Sequence, residues 1–105
     1  MKDVKKYCHL FFGTLGTTLK MDILAVLIEK PQSVTEIARA VHEERSTVSH
    51  ALQPLLSCGF VFVKKKGKNR VYSLNTETIL PLLKLVEKHM KKYCKVCKCG
   101  GCKHE

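Results

Sequence analysis

Apolar residues recur along this chain at helical spacing before they recur at strand spacing. Val4, Cys8, Phe11, Phe12 and Leu15 fall on one stripe, which predicts a first helix over about residues 3–13, with Gly13 and Gly16 bracketing its end. A second helix runs from about Thr18 to Glu29 with Ile23, Leu24, Leu27 and Ile28 on one side, and Pro31 stops it. Ser33 followed three residues later by Glu36 is a capping box. It opens a short third helix whose inner face is Ile37, Ala38 and Val41. After the polar turn His42-Glu43-Glu44, a fourth helix carries Val48, Leu52, Leu55 and Leu56 inward, and Gly59 closes it. Pro54 lies inside this helix, where it removes one backbone donor and favours a bend.

The pattern then changes period. Phe60-Val61-Phe62-Val63 and Val71-Tyr72-Ser73-Leu74 read as two strands, and Lys66-Gly67-Lys68-Asn69 as the turn between them. A last helix starts at Asn75 or Thr76 and reaches about Tyr93, with Pro81 tolerated in its first turn. Its apolar residues, Ile79, Leu80, Leu82, Leu83, Leu85, Val86 and Met90, cover more than one stripe, so it is expected to be buried on two sides, the second by another subunit. The fold class is mainly α with a small β-hairpin. Residues 1–93 form one domain and 94–105 a Cys/Lys-rich tail.

Charge sharpens this picture. The chain has 105 residues and a net charge of +10. Residues 1–63 carry a net +1, residues 64–83 a net +4 and residues 84–105 a net +5. The excess is thus confined to the hairpin and the C-terminal fifth, an electrostatic footprint that predicts a polyanionic partner. The longest unbroken apolar run, Ile23 to Ile28, is six residues, against the roughly 20 that a membrane helix needs. With no membrane span and no signal peptide evident, the expected location is the cytoplasm, where thiols stay reduced.

Two short helices joined by a tight turn and followed by a basic hairpin make a winged helix-turn-helix. Ala38 is small where the two helices cross, and Val48 anchors the second from inside. Ser46, Thr47, Ser49, His50 and Gln53 then project outward, side chains suited to base edges and phosphates in a major groove. Lys64, Lys65, Lys66, Lys68 and Arg70 place positive charge on the wing. The expected partner is double-stranded operator DNA.

These segments, Thr35-Glu36-Ile37-Ala38, Ser46-Thr47-Val48-Ser49-His50-Ala51-Leu52, Gly59-Phe60-Val61 and Lys65 through Leu74, resemble the ArsR/SmtB family of metal-sensing repressors over about residues 14–90. The resemblance implies a homodimer joined through the first and last helices, bound to an inverted-repeat operator and released by an inducer. The turn departs from the family pattern: His42 stands where Gly is usual, and Glu43 where an apolar residue is usual. So do the family's inducer sites. A thiolate pair on the third helix would fall at Ser33 and Thr35, and a zinc site on the last helix finds Glu87-x-His89 without its second half. His89 is therefore expected at a surface or an interface.

What the chain has instead is Cys94-x-x-Cys97-x-Cys99-x-x-Cys102, four thiols in nine residues. Thiolates select soft or borderline metals such as Zn(II) and Cu(I), and family analogy adds As(III). Lys92, Lys95, Lys98 and Lys103 would offset the charge of a metal tetrathiolate, and His104 is a weaker candidate ligand. A thiol-redox switch closing Cys94–Cys97 or Cys99–Cys102, or a purely structural zinc, are the alternative uses of the same residues. Cys8 and Cys58 are expected to be buried helix cysteines, unless Cys8 reaches the tail. Enzyme activity is not expected. Cys94 and Cys97 follow the last helix rather than opening a helix after a strand, and no Ser/His/Asp or paired-carboxylate constellation is evident.

Overall fold

The computed structural model describes residues 3–94. Two compact units divide the chain, Met1–Asn75 and Thr76–Glu105. The first holds α1 (Val4–Leu15), α2 (Thr18–Glu29), β1 (Gln32–Ser33), α3 (Val34–Val41), α4 (Arg45–Ser57), β2 (Val61–Lys66) and β3 (Asn69–Leu74). The second holds α5 (Ile79–Tyr93). The strands form one antiparallel sheet in the order β1-β3-β2. This is the winged helix-turn-helix expected from the pattern, with one strand more.

The core of the first unit is made where the helical stripes and the sheet meet. Ile23, Leu24 and Leu27 of α2, Ile37 and Ala38 of α3, and Val48, Ala51, Leu52 and Leu55 of α4 are buried against Phe60, Val61, Tyr72 and Leu74. The extra strand, β1, follows Pro31 directly and pairs Gln32 with Tyr72 and Ser33 with Val71. Gln32 is the one buried polar side chain among the described residues, and its Nε2 donates to the carbonyl of Val26 at 3.0 Å. A buried amide satisfied in this way costs little.

Several boundaries and faces differ from the sequence reading. α1 continues through Gly13 to Leu15, because Gly13 is exposed and loses only helix propensity there. Of its stripe only Leu15 is fully buried; Phe11 is half-buried, while Val4 and Phe12 are exposed. Ile28 is exposed, and Val41 and Leu56 are half-buried at the edges of their stripes. α5 starts at Ile79, so Pro81 falls in its first turn. Leu85, Val86 and Tyr93 of α5 are exposed.

Cys8 and Cys58 are corrections. Both are exposed rather than buried. Cys8 lies on the outer part of the α1 stripe. Cys58 is the cap residue beyond α4, and its sulfur lies 3.7 Å from the Thr14 hydroxyl.

α4 ends as its glycine predicts. Gly59 has φ +74, and the Phe60 N–H returns to the carbonyl of Leu55 at 2.9 Å. Pro54 leaves the carbonyl of His50, four residues back, without its helical donor. The helix nevertheless runs on to Ser57.

Candidate nucleic-acid interface

The reading helix is positioned from three sides. At its front, the α3 start is fixed by reciprocal bonds: the Glu36 N–H donates to Ser33 Oγ at 3.2 Å, and the Ser33 N–H donates to Glu36 Oε1 at 2.9 Å. That backbone bond holds the Glu36 carboxyl below its ordinary value. Beneath, Val48, Ala51, Leu52 and Leu55 clamp α4 to the core. Between the helices, the turn is set by His42 in the left-handed region at φ 60 and ψ 45, its N–H bonded to the Ala38 carbonyl. Glu43 donates its N–H to the same carbonyl at 3.0 Å.

A left-handed backbone strains a residue with a Cβ by roughly 1–2 kcal/mol. His42→Gly should therefore stabilise the fold by about 1 kcal/mol, measured as a higher urea midpoint with an unchanged slope. A loss of stability would mean that the imidazole itself holds the turn.

With one face of α4 buried, Ser46, His50 and Gln53 are exposed on the other, while Thr47 and Ser49 are half-buried on its flanks. The wing adds a second surface. β2 and β3 pair Lys65 with Arg70, Lys64 with Val71 and Lys66 with Asn69. Directly paired residues share a face of the sheet, and successive residues alternate. Lys65 and Arg70 thus continue the face of Val61, Tyr72 and Leu74, and Lys64 and Lys66 occupy the other. Gly67, at φ +60, is the first of two loop residues, as the tight hairpin requires. Two like charges directly opposed, Lys65 and Arg70, destabilise the hairpin in isolation, so they are a feature of charge display rather than of folding.

An open groove of about 490 Å³ joins these parts. It is lined by Ser33, Val34 and Thr35 from the α3 start, Arg45, Ser46 and Ser49 from α4, and Lys68, Asn69 and Arg70 from the wing tip. Of the residues singled out in the sequence, it brings together Ser46, Ser49, Lys68 and Arg70. Thr47, His50 and Gln53 do not line it, and Lys64 and Lys66 line a separate groove of about 210 Å³ with Pro31, Val71 and Ser73. Arg45, Thr35 and Asn69 were missed by the sequence reading. Arg45 is the first residue of α4, where attention falls on capping; its signal was a basic residue just ahead of the Ser-Thr-Val-Ser run.

Known proteins are similar to this chain in sequence and in fold. The regulator NmtR of Mycobacterium tuberculosis is 38% identical over 69 residues, covering 66% of this chain and 58% of NmtR. The regulator Rv0081 of the same organism is 33% identical over 79 residues, covering 74% of this chain and 69% of that protein. Its crystal structure matches with a TM-score of 0.77 at 31% identity, over 83% of this chain and 88% of that one. The homodimeric winged helix-turn-helix domain of Mb0332 from Mycobacterium bovis, described as a possible ArsR-family transcriptional regulator, matches with a TM-score of 0.76. That match covers 86% of this chain and 82% of that domain, and at 24% identity it shows the fold alone. This chain belongs to the ArsR/SmtB family of winged helix-turn-helix transcriptional regulators.

A second family, described as the sugar-specific transcriptional regulator TrmB, matches residues 22–77. Those residues are the α2 to β3 segment, the winged helix itself. The match to NmtR spans under two thirds of that relative's length. These homologues are transcriptional regulators and not enzymes, which speaks against the thiol-redox enzyme as a reading.

The described residues also account for the two inducer positions the resemblance points to. Ser33 is occupied as a helix cap. On α5, Glu87 pairs with Lys91 at 3.6 Å, and the His89 ring lies 5.5 Å from that of Tyr93. Among the described residues, no group of three or more His, Cys, Asp or Glu side chains is placed to hold a metal. Cys94 ends α5, half-buried, and Cys97, Cys99, Cys102 and His104 lie outside the described residues.

Proposed function

We propose that this regulator binds duplex operator DNA as a homodimer in the cytoplasm, as a repressor, and that a soft metal or metalloid bound through Cys94, Cys97, Cys99 and Cys102 releases or retunes it. The observation that carries DNA binding is the groove in which hydroxyls from two helix starts meet the cations of the wing tip. Ser46, Thr47, Ser49, His50 and Gln53 are the side chains for the major groove, and Lys64, Lys65, Lys66, Lys68 and Arg70 those for the backbone. Dimerisation through α1 and α5 is supported by their exposed apolar residues, Val4, Tyr7, Leu10 and Phe12 on one and Leu85, Val86 and Tyr93 on the other. The Mb0332 domain, of the same fold, is itself homodimeric.

The inducer reading rests on donor chemistry. Ser33 and Thr35 offer no thiolate, and Glu87 and His89 have local partners. The C-terminal thiols, four within nine residues, are the densest set of soft donors in the sequence for Zn(II), Cu(I) or As(III). A bound ion would cross-link the thiolates at the end of α5. Cys94 follows α5 directly, so ordering it biases the helix assigned to the dimer seam.

Typical allosteric coupling of about 1–3 kcal/mol would change operator affinity about 5–150-fold. The test is titration of zinc, cuprous and arsenite salts into an operator-binding assay under reducing conditions, beside a variant with all four thiols replaced by Ser. A response in the wild type that the variant lacks supports metal sensing. A response only to oxidant, in a parallel titration without reductant, assigns the thiols to redox control. Stoichiometric zinc with no change in affinity makes the metal structural.

A further inference from the structure

In duplex DNA one sugar–phosphate strand forms the wall between the major groove and the neighbouring minor groove. A helix seated in the first and a hairpin reaching toward the second must therefore have that strand running between them. In this chain, the space between the α4 start and the wing tip is the 490 Å³ groove. Its lining is rich in donors: the cations Arg45, Lys68 and Arg70, and the hydroxyls of Thr35, Ser46 and Ser49.

Arg45 stands at the first position of α4, on the flank that turns to the wing. The centre of the outward face belongs to Ser46, His50 and Gln53, which are all exposed. Among the described residues Arg45 has no carboxylate partner, although Glu43 and Glu44 precede it in sequence. Three cations around one void repel one another until an anion enters. A guanidinium, with its planar fork of donors, matches the oxygens of a phosphate better than an ammonium does.

We propose that Arg45, with Lys68 and Arg70, grips one backbone phosphate per subunit and so fixes the register of α4 without reading a base. The proposal rests on the DNA-binding reading of this face and adds to it the contact that sets the helix in place.

The probe is a duplex recovered by selection from random sequence, resynthesised with a single neutral methylphosphonate at each position in turn. For the wild type, one position per half-site should weaken binding more than its neighbours do. Arg45→Ala should be clearly less sensitive than the wild type to neutralisation there, keep the same base preference, and lower the salt slope by up to about one unit per subunit. Arg45→Lys should restore the slope but only part of the affinity. Arg45 is exposed, so an unchanged thermal melt confirms that these variants fold. If Arg45→Ala changes the preferred base, or stays as sensitive as the wild type at that position, the phosphate grip is wrong while DNA binding stands. If the wild type binds no duplex at low salt, both readings fall.

Discussion

Replacing Lys68 and Arg70 with Ala should weaken binding to every duplex and lower the salt slope by up to about one unit per subunit. Each phosphate contact contributes about 0.9 to that slope, which corresponds to nearly tenfold in affinity at about 0.1 M salt. Loss of that one phosphate contact per subunit thus predicts a loss of up to about tenfold for each half-site. The companion pair, Lys64→Ala with Lys66→Ala, removes the same charge from the other face of the hairpin. Its effect should be smaller, because those side chains line a groove with Pro31, Val71 and Ser73 and not the one shared with α4. Equal effects from the two pairs would mean that the wing acts only as a diffuse positive field. No effect from either would take the hairpin off the DNA. By contrast, Ser49 or His50 variants should alter which sequence is preferred, at about 1–3 kcal/mol per base pair misread. The measurement is binding by fluorescence anisotropy across a salt series, on a selected duplex and on a random one.

Much of this architecture is written in local sequence, and the residues that show it act over four or five positions. Ser33 and Glu36 announce a helix start, and they bond as the capping box requires. Gly59 and Gly67 announce backbone conformations that side chains resist, and both have positive φ. The lysine-rich turn between two β-rich runs is the wing. What escaped depends on partners distant in sequence. β1 is two residues long, too short for any period, and exists because β3 supplies its hydrogen bonds. Val4, Phe12, Ile28 and Leu85 sit at helical spacing yet are exposed, since periodicity defines a stripe but not what covers it. Cys58 looked like a core cysteine because it follows an apolar helix; it stands at the cap, past the buried residues of α4, and is exposed there. The groove was half legible. Its hydroxyl and wing residues belong to a pattern, whereas Arg45 gives a single basic residue as its signal and is set in the groove by the packing of α3, α4 and the hairpin.

Phe60→Ala should be the most damaging single substitution in the first unit, costing about 3–5 kcal/mol. Phe60 is only 2% exposed and is the largest of the fully buried side chains. It is the residue at which α4 becomes β2. Its N–H bonds to the carbonyl of Leu55, and its own carbonyl accepts the Asn75 N–H at 3.0 Å. Its ring meets that of Phe11 edge to face at 4.7 Å, and Phe11 in turn meets Phe12 at 5.1 Å. The backbone bonds survive truncation, so the loss is one of buried area, cavity and aromatic contact. A domain of this size has a total stability of about 5–15 kcal/mol, and 1 kcal/mol moves its melting temperature by roughly 4–8 °C. The variant should therefore melt at least about 12 °C lower, or fail to fold. Phe60→Leu, which keeps most of the volume, should cost clearly less and separates packing from the mere presence of an aromatic ring. Because Phe11 is the part of α1 that touches this ring, the Leu variant also tests whether α1 is braced from beneath. If it is, dimer dissociation measured by sedimentation should rise in Phe60→Leu while the melt of the remaining fold changes little. A Phe60→Ala variant with a near wild-type melt would show that the junction between reading helix and wing does not depend on this ring.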